Sequence, residues 1–325
     1  DNNLMAVAPR DGDPSFWRYL LMTVDLGELS PGGPLPYVSE GQVRELRLRV
    51  PDGPLQRRIA EHLSEKLSHH DAAVAALVDM RAAALERRML LTAEEVVGAQ
   101  ADGQRCAFEL AWARDGRTAW PTVKLTHVAR LGSGHTPSRS RPDWWTDCRI
   151  PWITTGEVQQ VRDDRREVIT QTRECISALG LANSAAALHP RGTVVLSRTA
   201  SVGFSAVMGT DMATSQDFAT WTCGPRLDPS YLLCCLRGMR PYLLGYLAQG
   251  STHKTIYMPD IEALRIPLPP VEVQRTIVGR IREQTCLIDQ FVDAADGQLR
   301  LLQERRPTLI AAAVTGQMNV AEEAA

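Results

Sequence analysis

The side chains best suited to covalent or metal chemistry are spaced so that they build no such site. The seven cysteines, Cys106, Cys148, Cys175, Cys223, Cys234, Cys235 and Cys286, contain no Cys-x-x-Cys pair and no matched ladder. That argues against a zinc ribbon or a secreted disulfide framework and leaves them as reduced packing residues. The stretch around Ser205 lacks the Gly-x-Ser-x-Gly turn of a hydrolase nucleophile. No Gly-rich loop opens a βαβ unit and no Gly-x4-Gly-Lys-Ser/Thr loop is present, so no S-adenosylmethionine binding, ATP hydrolysis, cofactor or metal is expected. Two conspicuous Asp-Pro pairs remain, Asp13-Pro14-Ser15-Phe16 and Asp228-Pro229-Ser230-Tyr231. Each precedes an apolar-periodic run and reads as a helix cap followed by proline at the first helical position.

The two caps belong to an internal repeat, which fixes architecture before any motif is weighed. The stretch from Gly41 recurs from Pro259 at an offset of 218 residues, matching Leu46 to Leu264, Gln56 to Gln274, Arg57 to Arg275, Asp71 to Asp289, Arg87 and Arg88 to Arg305 and Arg306, and Gly98 to Gly316. The Asp-Pro segments match at an offset of 215. Roughly a hundred residues that precede the second cap have no counterpart before the first, so the chain is expected to start inside its first domain.

Each copy runs from a sheet edge into one long helix. Pro51 and Pro54, and Pro267 to Pro270, forbid helix before them, while Gly98 and Gly316 stand where a left-handed C-terminal cap is needed. Each helix should therefore be a rod of roughly 60 to 65 Å. Ile277, Ile281, Ile288, Val292, Ala295, Leu299, Leu302 and Leu309 form a heptad-like seam, facing Ile59, Leu63, Leu67, Val74, Leu77 and Leu85 of the other copy. His70 falls in that seam, and Pro307 predicts a kink or break. Between the rods, short β-rich runs around Trp120, Arg149, Gly192 and Ala213 alternate with polar loops, and the run after Asp228 is helical.

With 44% hydrophobic content over 325 residues the chain is globular and sized for about two domains. No membrane span or secretion signal is visible, which points to the cytoplasm. A formal charge of −2 neither announces nor excludes nucleic-acid binding.

The order of five strings is more specific than any one of them. GSGHTPSRSRPDWW from Gly132, IPWITTGEV from Ile150, GTVVLSRTASVGF from Gly192, QGSTHKTI from Gln249 and LRIPLPP from Leu264, with a Gln-Arg pair opening the helix, resemble the specificity subunits (HsdS) of type I restriction-modification systems. The resemblance implies an α/β fold: globular target-recognition domains joined by two long conserved helices packed as an antiparallel coiled coil. The expected layout is a remnant of a first recognition domain over 1–50, the first long helix over 51–98, a linker over 99–119, the second recognition domain over 120–268, the second long helix over 269–316 and a tail over 317–325. It also implies a non-catalytic subunit that reads part of a split duplex DNA sequence and docks methyltransferase subunits, two by expectation, with a restriction and translocation subunit as a further partner. The alternative is a truncated scaffold that binds methyltransferase without specifying DNA.

Major-groove readout needs paired donors and acceptors on projecting loops. The residues positioned for it are His135, Thr136, Ser138, Arg139 and Arg141; Thr154, Thr155 and Glu157; Arg198 and Ser201; Ser215 and Gln216; and Thr252 and Lys254. On the helices, Gln56, Arg57, Arg87, Arg88, Gln274, Arg275, Arg305 and Arg306 are expected to face a partner. Trp144, Trp145 and Trp152 read as packing aromatics, and Gly132, Gly134, Gly203 and Gly250 as turn residues with positive φ. Both Asp-Pro segments fall one proline short of the Asp-Pro-Pro-Tyr signature with which amino-methyltransferases hold a flipped base.

Overall fold

The computed structural model describes residues 5–29, 37–98, 108–251, 254–318 and 320. Helices α1 (Pro14–Leu21), α2 (Leu26–Leu29) and α3 (Glu40–Arg44) lead into the long α4 (Gly53–Val97), and the chain closes with α8 (Met258–Ala263) and the long α9 (Val271–Val314). Between them lie α5 (Ala178–Ala182), α6 (Pro229–Gly238), α7 (Arg240–Tyr242) and twelve short strands among the described residues. Two compact units result, one of residues 1–83 and 291–325 and the other of 84–290.

In the first unit, the N-terminal part of α4 runs against the C-terminal part of α9. Phe16 and Leu20 of α1, Leu63 and Leu67 of α4 and Ile310 and Val314 of α9 form its core. His70 sits in this seam, its Nε2 2.8 Å from the Leu302 carbonyl, and Arg81 pairs with Asp296 at 2.6 Å. Helix α9 runs through Pro307 without a break.

The second unit is built on a five-stranded sheet in the order β4 (Ala129–Ser133), β11 (Phe218–Cys223), β8 (Val194–Ser197), β9 (Ser205–Met208), β6 (Val168–Ile169). Its central strand β8 is apolar at successive positions because both faces are covered. Val194 and Leu196 pack with Leu232 and Leu236 of α6 and Ile277 and Ile281 of α9, whereas Val195 faces Ile153, Met208 and Phe218. A second sheet, β10 (Ala213–Thr214), β5 (Ile150–Ile153), β7 (Glu174–Ile176), lies beside the first. Strand β3 (Thr122–Lys124) pairs with β12 (Arg265–Pro267), closing the unit where the sequence runs into α9.

Residues 99–107 lie outside the described residues, but β1 (Phe108–Glu109) and β2 (Arg117–Thr118) form a small antiparallel pair, and Leu110 and Ala113 pack on Val97. Leu85, placed in the seam from its spacing, is 40% exposed. Arg88 of the next turn faces α9 instead and binds Asp289 through both carboxylate oxygens, at 2.9 and 3.3 Å. In the first unit Arg306 pairs with Asp71 at 3.3 Å. These are the repeat-mates of the first pair with the copies exchanged, so the duplication is retained in the ion pairs as well as in the helices.

The caps behave as the sequence predicts. Asp13 accepts from the amides of Ser15 and Phe16, and Asp228 from those of Ser230 and Tyr231. Gly98 and Gly316 both end their helices at φ +76°.

Candidate nucleic-acid interface

Five polar loops of the second unit are brought to one rim by the ends of β4, β5, β8 and β10. His135 donates its amide to the Thr214 carbonyl at 3.0 Å, and Ser215 donates to that of Ile153 at 2.9 Å, so the segments after β4, β10 and β5 lie side by side. Only glycine permits this approach at position 134, where a Cβ would stand 1.9 Å from the Thr214 oxygen. Gly132 is similarly confined by Thr220 and His189. Both glycines therefore serve close packing rather than the positive φ expected of them, which Gly203 (+88°) and Gly250 (+103°) do adopt.

Arg198 ties the other loops to this row. Its backbone amide donates to Asp217, its Nη2 to the Gln216 carbonyl at 2.8 Å and its Nη1 to the Ile256 carbonyl at 3.4 Å. The Ala200 amide in turn reaches the Lys254 carbonyl at 3.2 Å. Ala200 sits at φ +60°, a left-handed conformation that costs a residue with a Cβ and recurs where a loop is held to a purpose.

His135, Thr136, Thr154, Thr155, Ser201, Gln216 and Lys254 thus stand on the rim exposed or half-buried. Thr252 lies outside the described residues. Ser138, Arg139 and Arg141 form a separate group over the aromatic cluster. Arg139 stacks 3.8 Å from the Trp145 ring centre and pairs with Glu174 at 2.7 Å, while Arg141 chelates Asp143 and covers Trp144. Trp152 is buried and meets Trp145 edge-on, as packing aromatics do.

Several expected contact residues are spent inside the protein. Glu157 is fully buried, its carboxylate accepting from the Arg173 amide at 2.9 Å and from Gln160. Ser215 is buried and bonds Asp217 at 3.0 Å. Arg198 is a loop tie, its Nη1 and Nη2 each donating to a carbonyl. On the helices, Gln56 and Gln274 are 6% and 0% exposed. Gln274 accepts from the Asp228 amide at 2.9 Å and donates to the carbonyls of Arg226 and Pro269, and Gln56 repeats this with Asp13 and Pro51. The two glutamines are clamps between cap and long helix and present no face to a partner. Arg88 is likewise committed to Asp289. Arg87 pairs with Glu94 and Arg275 with Glu272, both at the surface, Arg306 is half-buried, and Arg57 and Arg305 are exposed.

The sequence reading missed the turn at Asp164. This residue sits at φ +60°, receives Arg240 through both guanidinium ends at 2.6 and 2.7 Å, and offers its carbonyl to Arg237 at 2.6 Å and Arg88 at 3.1 Å. Burial works against its charge, but Arg240, Arg237 and Arg88 outweigh it and hold the carboxyl below its ordinary value. Nearby Glu167 behaves alike, its burial outweighed by Arg282. The Asp-Asp-Arg-Arg run was the available signal, but spacing alone does not show which helices those charges will meet.

The arrangement can offer hydroxyls, an amide, an imidazole and an ammonium to a surface lying along the rim, and among the described residues no group of three or more His, Cys, Asp or Glu is placed to hold a metal ion. It defines an α/β unit with a rim of polar loops. Residues 118–283 match the model of the type I restriction modification DNA specificity domain, and the chain belongs to that family. It is 25% identical over 166 residues to the type I restriction enzyme MjaIX specificity subunit of Methanocaldococcus jannaschii, a match taking in 49% of this chain. It is also 25% identical over 95 residues to the putative MjaX specificity subunit of the same organism, over 29% of this chain. The chain spans 36% and 21% of the lengths of these two relatives. Among solved structures, a chain of a type I restriction-modification complex superposes with a TM-score of 0.69 at 20% identity, covering 93% of this chain and 71% of that one. The HsdS subunit of Thermoanaerobacter tengcongensis gives 0.53 at 19% identity, covering 94% and 71%. At these identities the superpositions establish the shared fold.

Proposed function

We propose that the second unit reads one part of a duplex DNA sequence for a type I restriction-modification methyltransferase, and that the chain itself catalyses no reaction. The observation that carries this reading is the gathering of His135, Thr136, Thr154, Thr155, Ser201, Gln216 and Lys254 on one rim of a family specificity domain. Loops raised on a rigid sheet can enter a groove, where side-chain donors and acceptors select bases and an ammonium positions phosphate. Residues 1–50 then belong to a first recognition domain, and the long helices set the separation of two half-sites and dock two methyltransferase subunits, with a restriction subunit joining the assembly in the cytoplasm. Exposed Arg57 and Arg305 suit the docking role. No helix among the described residues is long and apolar enough to cross a membrane.

The test is selection of duplexes from a randomised library by the full chain with its methyltransferase. Enrichment of one split sequence supports the reading. Assembly with methyltransferase without any sequence preference would favour a scaffold in its place.

A further inference from the structure

The rim contains one side chain whose chemistry and support point to a particular base. Gln216 is exposed at the tip of the turn between β10 and β11. Its backbone is fixed from several sides. The Arg198 guanidinium holds the Gln216 carbonyl at 2.8 Å, the Arg198 amide holds the Asp217 carbonyl at 2.8 Å, and Ser215 and Asp217 close the turn through a hydroxyl–carboxylate bond of 3.0 Å. Its side chain is oriented as well, because the Thr136 hydroxyl donates to Gln216 Oε1 at 2.8 Å. That bond occupies one of the two acceptor positions on Oε1. Nε2 makes no hydrogen bond to any of the described residues.

The result is an amide with one acceptor position and two donor hydrogens unspent, held before any ligand arrives. Such an amide matches adenine in the major groove, accepting from N6 and donating to N7; guanine presents two acceptors there and satisfies only half of it. The neighbouring guanidinium groups are each tied to protein partners. Arg198 is held by two carbonyls, Arg139 by Glu174 and Trp145, and Arg141 by Asp143. We infer that Gln216 is a specificity-determining residue that selects an adenine in the recognised DNA, with Thr136 as the positioning residue that presets its amide. This rests on the reading that the rim faces duplex DNA.

The test compares wild type, Gln216→Ala and Thr136→Val in selection from a randomised duplex library at one salt concentration, using the full chain with its methyltransferase. Wild type is expected to prefer adenine at one position by about 5- to 150-fold over other bases, the range a bidentate contact provides. Gln216→Ala should bring that single position close to no preference and leave the rest of the motif intact, and Thr136→Val should weaken the same position by a smaller factor. An unchanged motif in Gln216→Ala overturns the inference, as does equal loss at every position, which would make Gln216 a loop support. If wild type itself enriches no motif, the DNA reading fails and the inference falls with it, so the two failures are distinguishable.

Discussion

Replacing Gln274 by alanine should release the cap of α6 from the start of α9. The Gln274 side chain is completely buried and makes three hydrogen bonds, accepting from the Asp228 amide at 2.9 Å and donating to the carbonyls of Arg226 at 2.9 Å and Pro269 at 2.8 Å. Each such bond is worth about 0.5–1.5 kcal/mol net, and the abandoned buried partners add their desolvation penalty, so the loss should be about 3 kcal/mol. Gln56→Ala removes two bonds at a slightly more accessible site and should cost about 2 kcal/mol. Because a chain of two units need not unfold in one step, the direct readout is amide hydrogen exchange in peptides that contain Asp228 or Asp13. Local opening by those amounts corresponds to about 150-fold faster exchange around Asp228 and about 30-fold around Asp13. If exchange rose less than about threefold in Gln274→Ala while methyltransferase binding was lost, Gln274 would be a docking residue and the clamp reasoning would be wrong.

Gly98→Ala and Gly316→Ala share the same φ of +76°, so each should pay about 1–2 kcal/mol for a left-handed Cβ; only at Gly98 would that carbon stand 2.8 Å from Trp120 and 2.9 Å from Ala119, and thermal unfolding should show the larger loss there. Asp164→Asn should destabilise the second unit by about 3 kcal/mol in urea titration, because it strips Arg240 and Arg237 of their shared carboxylate. Both Asp164 and Glu167 titrate below their ordinary values when folded, so their contribution is complete above about pH 4–4.5 and is lost as pH falls through the lower folded values; an acid titration of stability should be flat down to that point and then decline, less steeply in Asp164→Asn. Lys254→Ala should weaken DNA binding to all sequences alike and reduce the slope of log affinity against log salt by about 1, measured by anisotropy across a salt series.

What was legible in the sequence is what local chemistry decides. Proline before each long helix, glycine after it and Asp-Pro at each short one act within a few residues, and all of them stand where the spacing put them. Strands β5 and β8 were readable because burial on both faces leaves continuous apolar runs. Exposure was not readable in the same way. Glu157 and Ser215 are polar like their half-buried or exposed neighbours Thr155 and Gln216, and only the packing of β5 and β10 turns one set inward. Gln56 and Gln274 illustrate this twice over: their repetition was visible, but a repeated polar residue can be a shared docking contact or a shared internal clamp, and the distinction lies in a cap 43 and 46 residues away in sequence. Leu85 stands exposed while Arg88 of the next turn pairs with Asp289, an ion pair that apolar spacing does not register. The β1–β2 pair is too short to announce itself by alternation.

The central claim is that this chain chooses the DNA sequence at which its methyltransferase acts. Base-resolved sequencing of modified sites in cells carrying the methyltransferase, with and without the gene for this chain, tests it most directly. One split motif should be methylated when the chain is present and unmethylated when it is absent, with substitution at the second-unit rim altering one half of that motif and leaving the other unchanged. An identical set of modified sites in both cells would contradict it.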